Sequence, residues 1–237
     1  MTPLIEGSNE VLRVTSAARR CGIARKTYDR MAPIYEGLTN VYSLGCVPRA
    51  KRSQLAHIRP GDRVLYAGPG PGRAAVNAAE RGAEVTGIDL SLRMIEISRS
   101  RFEAAGIQAD LHHGDLMTYE PIEAFDIVVA NFLLDCFGDE RRPRVVEQLS
   151  TMLVSGGRLL VTDTGRPRGS LPARAFWYGY QGIAYATTWM QGVTPFLPVM
   201  DLSALLGEAG VEVQVTILHR PWRRGPAVFE SVVGMKS

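Results

Sequence analysis

Three glycines alternating with two prolines form the stretch of the chain that points most directly to chemistry. The stretch Gly68-Pro69-Gly70-Pro71-Gly72 follows a short apolar run, Arg63–Ala67, and precedes residues 74–80, which have a helix-forming composition. A strand, a glycine turn and a helix in this order bring backbone N–H groups to one place, where no side chain keeps a ligand away. The stretch therefore predicts a nucleotide-type pocket.

An acidic residue at the end of the next predicted strand narrows the choice of nucleotide. Asp89 lies 21 residues after Gly68, where a carboxylate can accept hydrogen bonds from both hydroxyls of a ribose. A dehydrogenase shares these features, but the dinucleotide motif G-x-G-x-x-G requires a glycine at the position of Arg73. The turn reads G-x-G-x-G, which favours a ligand with a single nucleoside and disfavours an NAD-type oxidoreductase.

Apolar runs and helix-like segments alternate along the chain and predict the elements that position these residues. Strands of this kind, separated by helices, form a parallel sheet covered by helices on both faces. Ser91 is predicted to cap the helix after Asp89. Further strands are predicted at residues 84–88, 108–112, 125–130, 158–162, 211–218 and 227–235, and a helix at 139–153.

Two segments lie outside this alternation. Residues 1–58 are predicted to form an N-terminal helical arm or lid, ending in a helix over 47–58, before a main domain over 59–237. Residues 171–200 are rich in tyrosine, tryptophan and phenylalanine, but their glutamines and glycines make them too polar to span a membrane. We expect an inserted aromatic cover over the pocket; core packing and a membrane-surface element are the alternatives.

Composition excludes several classes of function. With 46% hydrophobic and 22% charged residues the chain is typical of globular proteins, and its net charge of +3 and dispersed basic residues indicate no nucleic-acid surface. Cys21, Cys46 and Cys136 form no CxxC pair, and His112 and His113 point to opposite sides of a strand, so no metal site is expected. Neither a signal pattern nor an apolar run of about 18 residues occurs, which favours a cytoplasmic protein.

Several motifs together resemble a known family. VLYAGPGPG, GIDLS followed by Met94, HGDL, FDIVVAN and LVSGGRLLVTD are similar, in this order, to the motifs of class I S-adenosylmethionine-dependent methyltransferases. YDRMAPIYEGLTNVYSLG and PFLPVMDLSALLGEAGVEV resemble the ubiquinone/menaquinone-biosynthesis C-methyltransferases. The resemblance implies a Rossmann-like three-layer α/β sandwich, with a mostly parallel seven-stranded sheet and a C-terminal antiparallel strand.

The resemblance also implies residues for the ribose and methionyl parts of S-adenosyl-L-methionine. Gly68, Gly70 and Gly72 would line both parts, and Asp89 would hold the ribose hydroxyls. Asn131, which follows the fourth strand, would lie near the methionyl end.

Four further residues are implied at the adenine end, and one position departs from the family. Leu90 and Met94 would pack against adenine, Asp115 would accept from its amino group, and the backbone of Leu116 would complete that edge. The family usually has an acidic residue at the position of Tyr66, where it orients the methionyl ammonium group. The Tyr66 hydroxyl could substitute for that carboxylate.

In the implied reaction the protein itself takes little part in making or breaking covalent bonds. The sulfonium carries an activated methyl group, so the protein mainly aligns the acceptor and excludes water. A carbon or phenol acceptor would benefit from a general base. Asp135, Tyr28 and Tyr35 are the candidates for that base, with His57 and His219 as further ones.

Two functions of different classes follow. The first is methyl transfer to the carbon or oxygen of a small or lipophilic acceptor, for which an aromatic or isoprenoid-type molecule is favoured. Contact with a membrane surface stays open for such an acceptor. The second, suggested by Tyr66, is binding of S-adenosylmethionine with non-methyl chemistry or without catalysis.

Overall fold

The computed structural model describes residues 35–190, 199–223 and 225–237, and a seven-stranded sheet forms its centre. The order across the sheet is β3-β2-β1-β4-β5-β7-β6, and β7 runs antiparallel to both of its neighbours while the other pairs are parallel. This confirms the predicted Rossmann-like arrangement with its C-terminal antiparallel strand. The strands are β1 Arg63–Ala67, β2 Glu84–Asp89, β3 Asp110–His113, β4 Phe125–Asn131, β5 Leu153–Asp163, β6 Val211–His219 and β7 Phe229–Lys236.

Helices cover both faces of the sheet. They are α1 Tyr35–Tyr42, α2 Cys46–Gln54, α3 Arg73–Ala79, α4 Leu92–Ala105, α5 Arg142–Thr151, α6 Leu171–Met190 and α7 Leu202–Glu208. The strands are apolar on both sides because each face of the sheet is buried. In β4, Val128 belongs to the core that includes α5 and α7, and Ile127 belongs to the core that includes α3 and α4.

The N-terminal arm and the aromatic segment are described in part. Residues 1–34 and 191–198 lie outside the described residues, so most of the expected arm is not described. The helix expected over 47–58 is α2, followed by a 3-10 turn over Leu55–His57.

The described part of the aromatic segment forms one long helix, α6. Pro172 lies in its first turn, where the missing N–H would have no helical partner. Trp177, Gln181 and Tyr185 recur every four residues and are all buried, whereas Ile183 is 80% exposed. The helix therefore packs one stripe against the domain and leaves the opposite stripe exposed.

The carboxyl ends of β1, β2, β4 and β5 meet at one edge of the sheet. β1 pairs with β2 on one side and with β4 on the other. The chain thus changes direction across the sheet at β1, which is the position where α/β sheets of this kind bind ligands. Asp89, Asn131 and Asp163 end β2, β4 and β5 at this edge.

Candidate active site

The glycine turn has the left-handed backbone that its sequence predicts. Gly68, Gly70 and Gly72 have φ angles of 69°, 57° and 84°, which side chains other than glycine adopt at a cost. Gly72 directly precedes α3, and a Cβ atom there would lie 2.2 Å from Ser98 Oγ. A Cβ atom on Gly70 would meet nothing within 4 Å. The loop is thus closely packed at Gly72 and open at Gly70.

The Asp89 carboxylate lies directly beside this open part of the loop. Its Oδ2 accepts a hydrogen bond from Gly70 N at 3.1 Å, and its Oδ1 accepts one from Ser91 N at 2.9 Å. Ser91 in turn caps α4 by accepting from Met94 N. These contacts orient a half-buried carboxylate at the end of β2, next to the open space.

The four residues expected at the adenine end lie on the segments that follow β2 and β3. Leu90 is half-buried, and its carbonyl contacts His113 Nε2 at 3.2 Å. Met94 and Leu116 are buried. Asp115 is exposed and caps a short 3-10 turn, since its Oδ1 accepts from the backbone N of Met117. The two segments are adjacent because β2 and β3 pair in parallel.

Tyr66 is engaged with the helix after the glycine turn. Its side chain is 3% exposed, and its hydroxyl donates to the carbonyl of Ala74 at 3.1 Å. Burial raises the pKa of this phenol. Tyr66 thus joins β1 to the first turn of α3 as a neutral, buried hydrogen-bond donor.

The end of β4 combines an unpaired polar atom with an unusual backbone. Asn131 Oδ1 is buried and has no hydrogen-bond partner among the residues that the structure describes. Phe132, the next residue, has a φ of +55° and donates its N–H to the carbonyl of Thr162 at 2.7 Å. Positive φ in a phenylalanine and an unpaired buried oxygen both occur preferentially at functional sites.

Two buried carboxyl groups lie at the ends of β4 and β5. Asp163 is fully buried, and its Oδ2 accepts from Leu134 N and Asp135 N at 3.0 and 3.2 Å. Its Oδ1 accepts from Thr164 N at 2.7 Å. Asp163 therefore holds the segment that carries Asp135 against the end of β5.

Tyr185 connects this carboxyl pair to α6. Its hydroxyl donates to Asp135 Oδ2 at 2.8 Å and lies 2.7 Å from Thr164 Oγ1. Since a phenol carries one proton, the Thr164 hydroxyl then donates to the Tyr185 oxygen. The long helix from the aromatic segment thus contributes a polar group to the interior.

Burial dominates the electrostatics of the two carboxyl groups. It raises the pKa of Asp135 to about 6, while hydrogen bonds from Tyr185 and Cys136 and the charge of Arg142 act in the opposite direction. Burial and then the charge of Asp135 raise the pKa of Asp163. Arg142 is itself buried on α5 and donates through Nε to the carbonyl of Leu134. At neutral pH the pair can hold a proton and still present a carboxylate.

The structure separates the other expected bases. His57 precedes β1, and its carbonyl accepts from Arg158 of β5. The amino end of β1 is opposite to the glycine turn, so His57 lies away from the other candidate residues. His219 ends β6 and contacts Ser231 Oγ at 2.7 Å, and burial lowers its pKa to about 4. Tyr28 lies outside the described residues; Tyr35 begins α1, but its side chain is not among the described ones.

Sequence reasoning missed two members of this carboxyl network. Asp163 ends the motif LVSGGRLLVTD, and its position at the end of a buried strand could have identified it as a candidate site residue. Tyr185 had no such signal, because it is one of several aromatic residues in one segment.

The described residues offer neither a metal site nor a membrane-spanning helix. No group of three or more histidines, cysteines, aspartates or glutamates in ranges 35–190, 199–223 and 225–237 could hold a metal ion. In the same ranges, no helix has the length and apolar composition needed to cross a membrane.

The chain is similar to proteins of known activity. Residues 64–157 match the family model described as a methyltransferase domain. A demethylmenaquinone methyltransferase of Thermus thermophilus is 32% identical over 175 residues, which cover 72% of this chain and 74% of that protein. A ubiquinone biosynthesis O-methyltransferase of Xanthomonas axonopodis is 28% identical over 177 residues, covering 71% of each.

A solved structure has the same fold. The magnesium protoporphyrin IX methyltransferase of Synechocystis PCC 6803, with bound S-adenosylhomocysteine, superposes with a TM-score of 0.67 at 18% identity and covers 92% of this chain and 100% of its own. The open glycine turn, the carboxylate of Asp89 and the unpaired oxygen of Asn131 at one edge fit a ligand with a nucleoside and an ammonium group. The chain therefore belongs to the class I S-adenosylmethionine-dependent methyltransferases and resembles those of quinone biosynthesis.

Proposed function

We propose that this methyltransferase acts on a carbon or phenolic oxygen of a small, lipophilic, aromatic acceptor. The observation that carries the proposal is the hydrogen bond between Tyr185 and the buried carboxyl group of Asp135, at the carboxyl ends of β4 and β5. A buried carboxylate that can be ionised at neutral pH is suited to take a proton from a phenol or an activated carbon acid.

The cofactor is proposed to lie along the edge from β3 to β4. Gly68, Gly70 and Gly72 would line its ribose and methionyl parts, and Asp89 would accept from the ribose hydroxyls. Asn131 would lie at the methionyl end.

The adenine would lie between the segments that follow β2 and β3. Leu90 and Met94 would pack against it, Asp115 would accept from its amino group, and the backbone of Leu116 would complete the edge. Tyr66 would support the cofactor site indirectly, because its hydrogen bond to Ala74 holds α3 beside the glycine turn.

In such a reaction the residues of the chain would only orient the acceptor and accept its proton. S-adenosylmethionine supplies a methyl group already activated by its sulfonium. Asp135 would accept the proton that leaves the acceptor, and Tyr185 would orient Asp135 through its hydrogen bond. Tyr28 and Tyr35 stay alternative candidates for the base. They belong to the N-terminal arm, residues 1–58, which we propose to act as a lid.

The class of acceptor is supported by α6 and by the names of the relatives. α6 carries aromatic residues on both its buried and its exposed sides, among them Trp177, Phe176 and Tyr178. Aromatic side chains suit an aromatic or isoprenoid-type acceptor. Two of the relatives are named for steps in menaquinone and ubiquinone biosynthesis.

Methyl transfer can be measured with S-adenosylmethionine tritiated in its methyl group. Purified protein is incubated with a lipid extract and with soluble catechols and demethylated naphthoquinols, and radioactivity is counted in the organic phase. We expect transfer by the wild-type protein and little transfer by Asp135→Asn. Cleavage of aryl methyl ethers with boron tribromide then separates the two products, because it releases only oxygen-bound label.

The alternative of binding without turnover has a distinct result. It predicts that the wild-type protein binds S-adenosylhomocysteine in calorimetry but labels none of these acceptors. That result would contradict the proposed acceptor class while leaving the cofactor site intact.

A further inference from the structure

Lys51, on α2, is a half-buried residue whose ammonium group has no ion-pair partner within 4 Å among the described residues. Nζ makes no hydrogen bond and no ion pair with any described residue, and its nearest aromatic contact is the ring of Phe132, whose centroid is 6.0 Å away. Burial lowers the pKa of this ammonium group, and the charge of Glu36 acts in the opposite direction. A cation removed from water in this way is stabilised by an anion that can reach it.

Glu36 does not serve as that anion, because it is occupied by two arginines. Its carboxylate binds both terminal nitrogens of Arg101, at 2.7 and 2.6 Å, and lies 3.6 Å from Arg73 Nε. Three cations therefore surround one carboxylate. This part of the molecule carries an excess of positive charge that a bound anion would offset.

The excess charge lies between the glycine turn and the end of β4. Arg101, which holds Glu36, also donates to the carbonyl of Pro71 in the turn at 2.9 Å. Phe132, under the ammonium group of Lys51, directly follows Asn131. Lys51 is thus within electrostatic reach of a carboxylate anchored beside the turn and lies next to the residue after β4.

Besides the ammonium group of Lys51, which can donate hydrogen bonds, the same region has a buried acceptor, the amide oxygen of Asn131. Asn131 Oδ1 is buried without a hydrogen-bond partner among the described residues. The two groups together suit a zwitterion: an ammonium of Lys51 for a carboxylate, and an amide oxygen for an ammonium group. The methionyl part of the cofactor is such a zwitterion, and Tyr66 offers it no carboxylate.

We infer that Lys51 binds the methionyl carboxylate of S-adenosylmethionine, while Asn131 Oδ1 accepts from its ammonium group. This inference rests on the cofactor position proposed above. It assigns recognition of the amino-acid end of the cofactor to a residue of α2, the helix that precedes the first strand.

Calorimetry with three ligands isolates the carboxylate. S-adenosylhomocysteine has the whole amino-acid group, its decarboxylated analogue keeps only the ammonium, and 5′-methylthioadenosine has neither. We expect Lys51→Met to weaken binding of S-adenosylhomocysteine about tenfold to a hundredfold, as for a charge-assisted hydrogen bond, and to leave the other two affinities unchanged. Arg52→Met is the matched control, because Arg52 is adjacent but exposed, and it should change none of the three.

Each other outcome overturns the inference in a distinguishable way. Unchanged affinity of Lys51→Met for S-adenosylhomocysteine would show that Lys51 does not bind the carboxylate, whatever the acceptor is. An equal loss for all three ligands would show that Lys51 only supports the shape of the site. A wild-type protein that binds none of the ligands would overturn both the inference and the proposed cofactor site.

Discussion

Asp135 and Asp163 present two carboxyl groups to one buried space, and each is held differently. Three backbone N–H groups bind Asp163, so its side chain is fixed by the ends of β4 and β5. Asp135 instead accepts mainly from side chains, the hydroxyl of Tyr185 and the thiol of Cys136, in addition to the backbone of Cys136. We therefore propose that Asp135 is the member of the pair that exchanges a proton with a ligand, and that Asp163 positions it.

The pH dependence of methyl transfer should report Asp135. Because burial raises the pKa of this carboxyl group to about 6, kcat/KM is expected to rise with pH through about 6, as the base loses its proton. Asp135→Asn should lower kcat by about a hundredfold to ten-thousandfold. Both are measured with the tritium assay between pH 5 and 9.

The variant Tyr185→Phe tests the assignment of Asp135 as the base through the direction in which the pH profile shifts. The hydrogen bond from Tyr185 lowers the pKa of Asp135, so its removal should move the inflection to higher pH. An inflection that stays in place, or a flat profile in the wild-type protein, would argue against Asp135 as the base.

The second and third glycines of the turn, Gly70 and Gly72, should respond differently to alanine. Gly72→Ala places Cβ 2.2 Å from Ser98 Oγ at a φ of 84° and should lower the free energy of unfolding by about 2 to 4 kcal/mol. Gly70→Ala meets no protein atom and should lower it by only about 1 kcal/mol. It should instead weaken binding of S-adenosylhomocysteine by about tenfold, since Cβ fills the open space.

Urea denaturation and calorimetry together test this contrast. Equal destabilisation by both variants, with unchanged ligand affinity in Gly70→Ala, would show that the space beside Gly70 is not occupied by the cofactor.

At the scale of elements, α6 depends on its buried stripe. Trp177 is 1% exposed, so Trp177→Ala should leave a cavity and lower the free energy of unfolding by about 3 to 5 kcal/mol. Ile183 lies on the exposed stripe of the same helix, and Ile183→Ala should change stability by less than about 0.5 kcal/mol. Urea denaturation of both variants tests whether α6 is packed as an integral layer; similar midpoints would contradict that packing.

At the scale of the whole molecule, Glu36 joins α1 to α3 and α4 through its ion pairs with Arg73 and Arg101. Burial raises its pKa, but the hydrogen bonds and charges of Arg101 and Arg73 outweigh burial and lower it overall. A carboxyl group whose pKa is lowered by folding stabilises the protein above its ordinary pKa, and this contribution is lost as the pH falls through the lowered value. Docking of α1 should therefore persist through neutral pH and weaken in acid.

Glu36→Gln should release α1 without unfolding the domain. Hydrogen exchange measured by mass spectrometry should become faster over Tyr35–Tyr42 and stay unchanged in β4 and β5, because the ion pairs hold only the arm. Glu96→Gln is the control, since Glu96 forms an exposed ion pair with Arg93 that contributes little. Unchanged exchange over α1 in Glu36→Gln would show that other contacts dock the arm.

The sheet explains why so many functional groups meet although they are distant in sequence. Parallel strands bring their carboxyl ends to one edge, so Asp89, Asn131 and Asp163 converge there through pairing alone. β7 inserts antiparallel between β5 and β6 and does not disturb this convergence.

The sequence by itself determined the local parts of this protein. Strands such as Phe125–Asn131 are continuous apolar runs, and the glycine turn requires positive φ, so both follow from preferences that act over a few residues. The spacing of Gly68 and Asp89 was sufficient to place a carboxylate beside the turn, because one βαβ unit separates them.

Only the tertiary structure decided which side chains from distant segments meet. Tyr185 reaches Asp135 across 50 residues, and Lys51 lies over Phe132 because α2 packs near the end of β4. The hydrogen bond from Tyr66 to the carbonyl of Ala74 likewise depends on tertiary packing, because packing sets the position of α3. Such contacts depend on how whole helices pack against the sheet. Local patterns of residue types do not predict that packing.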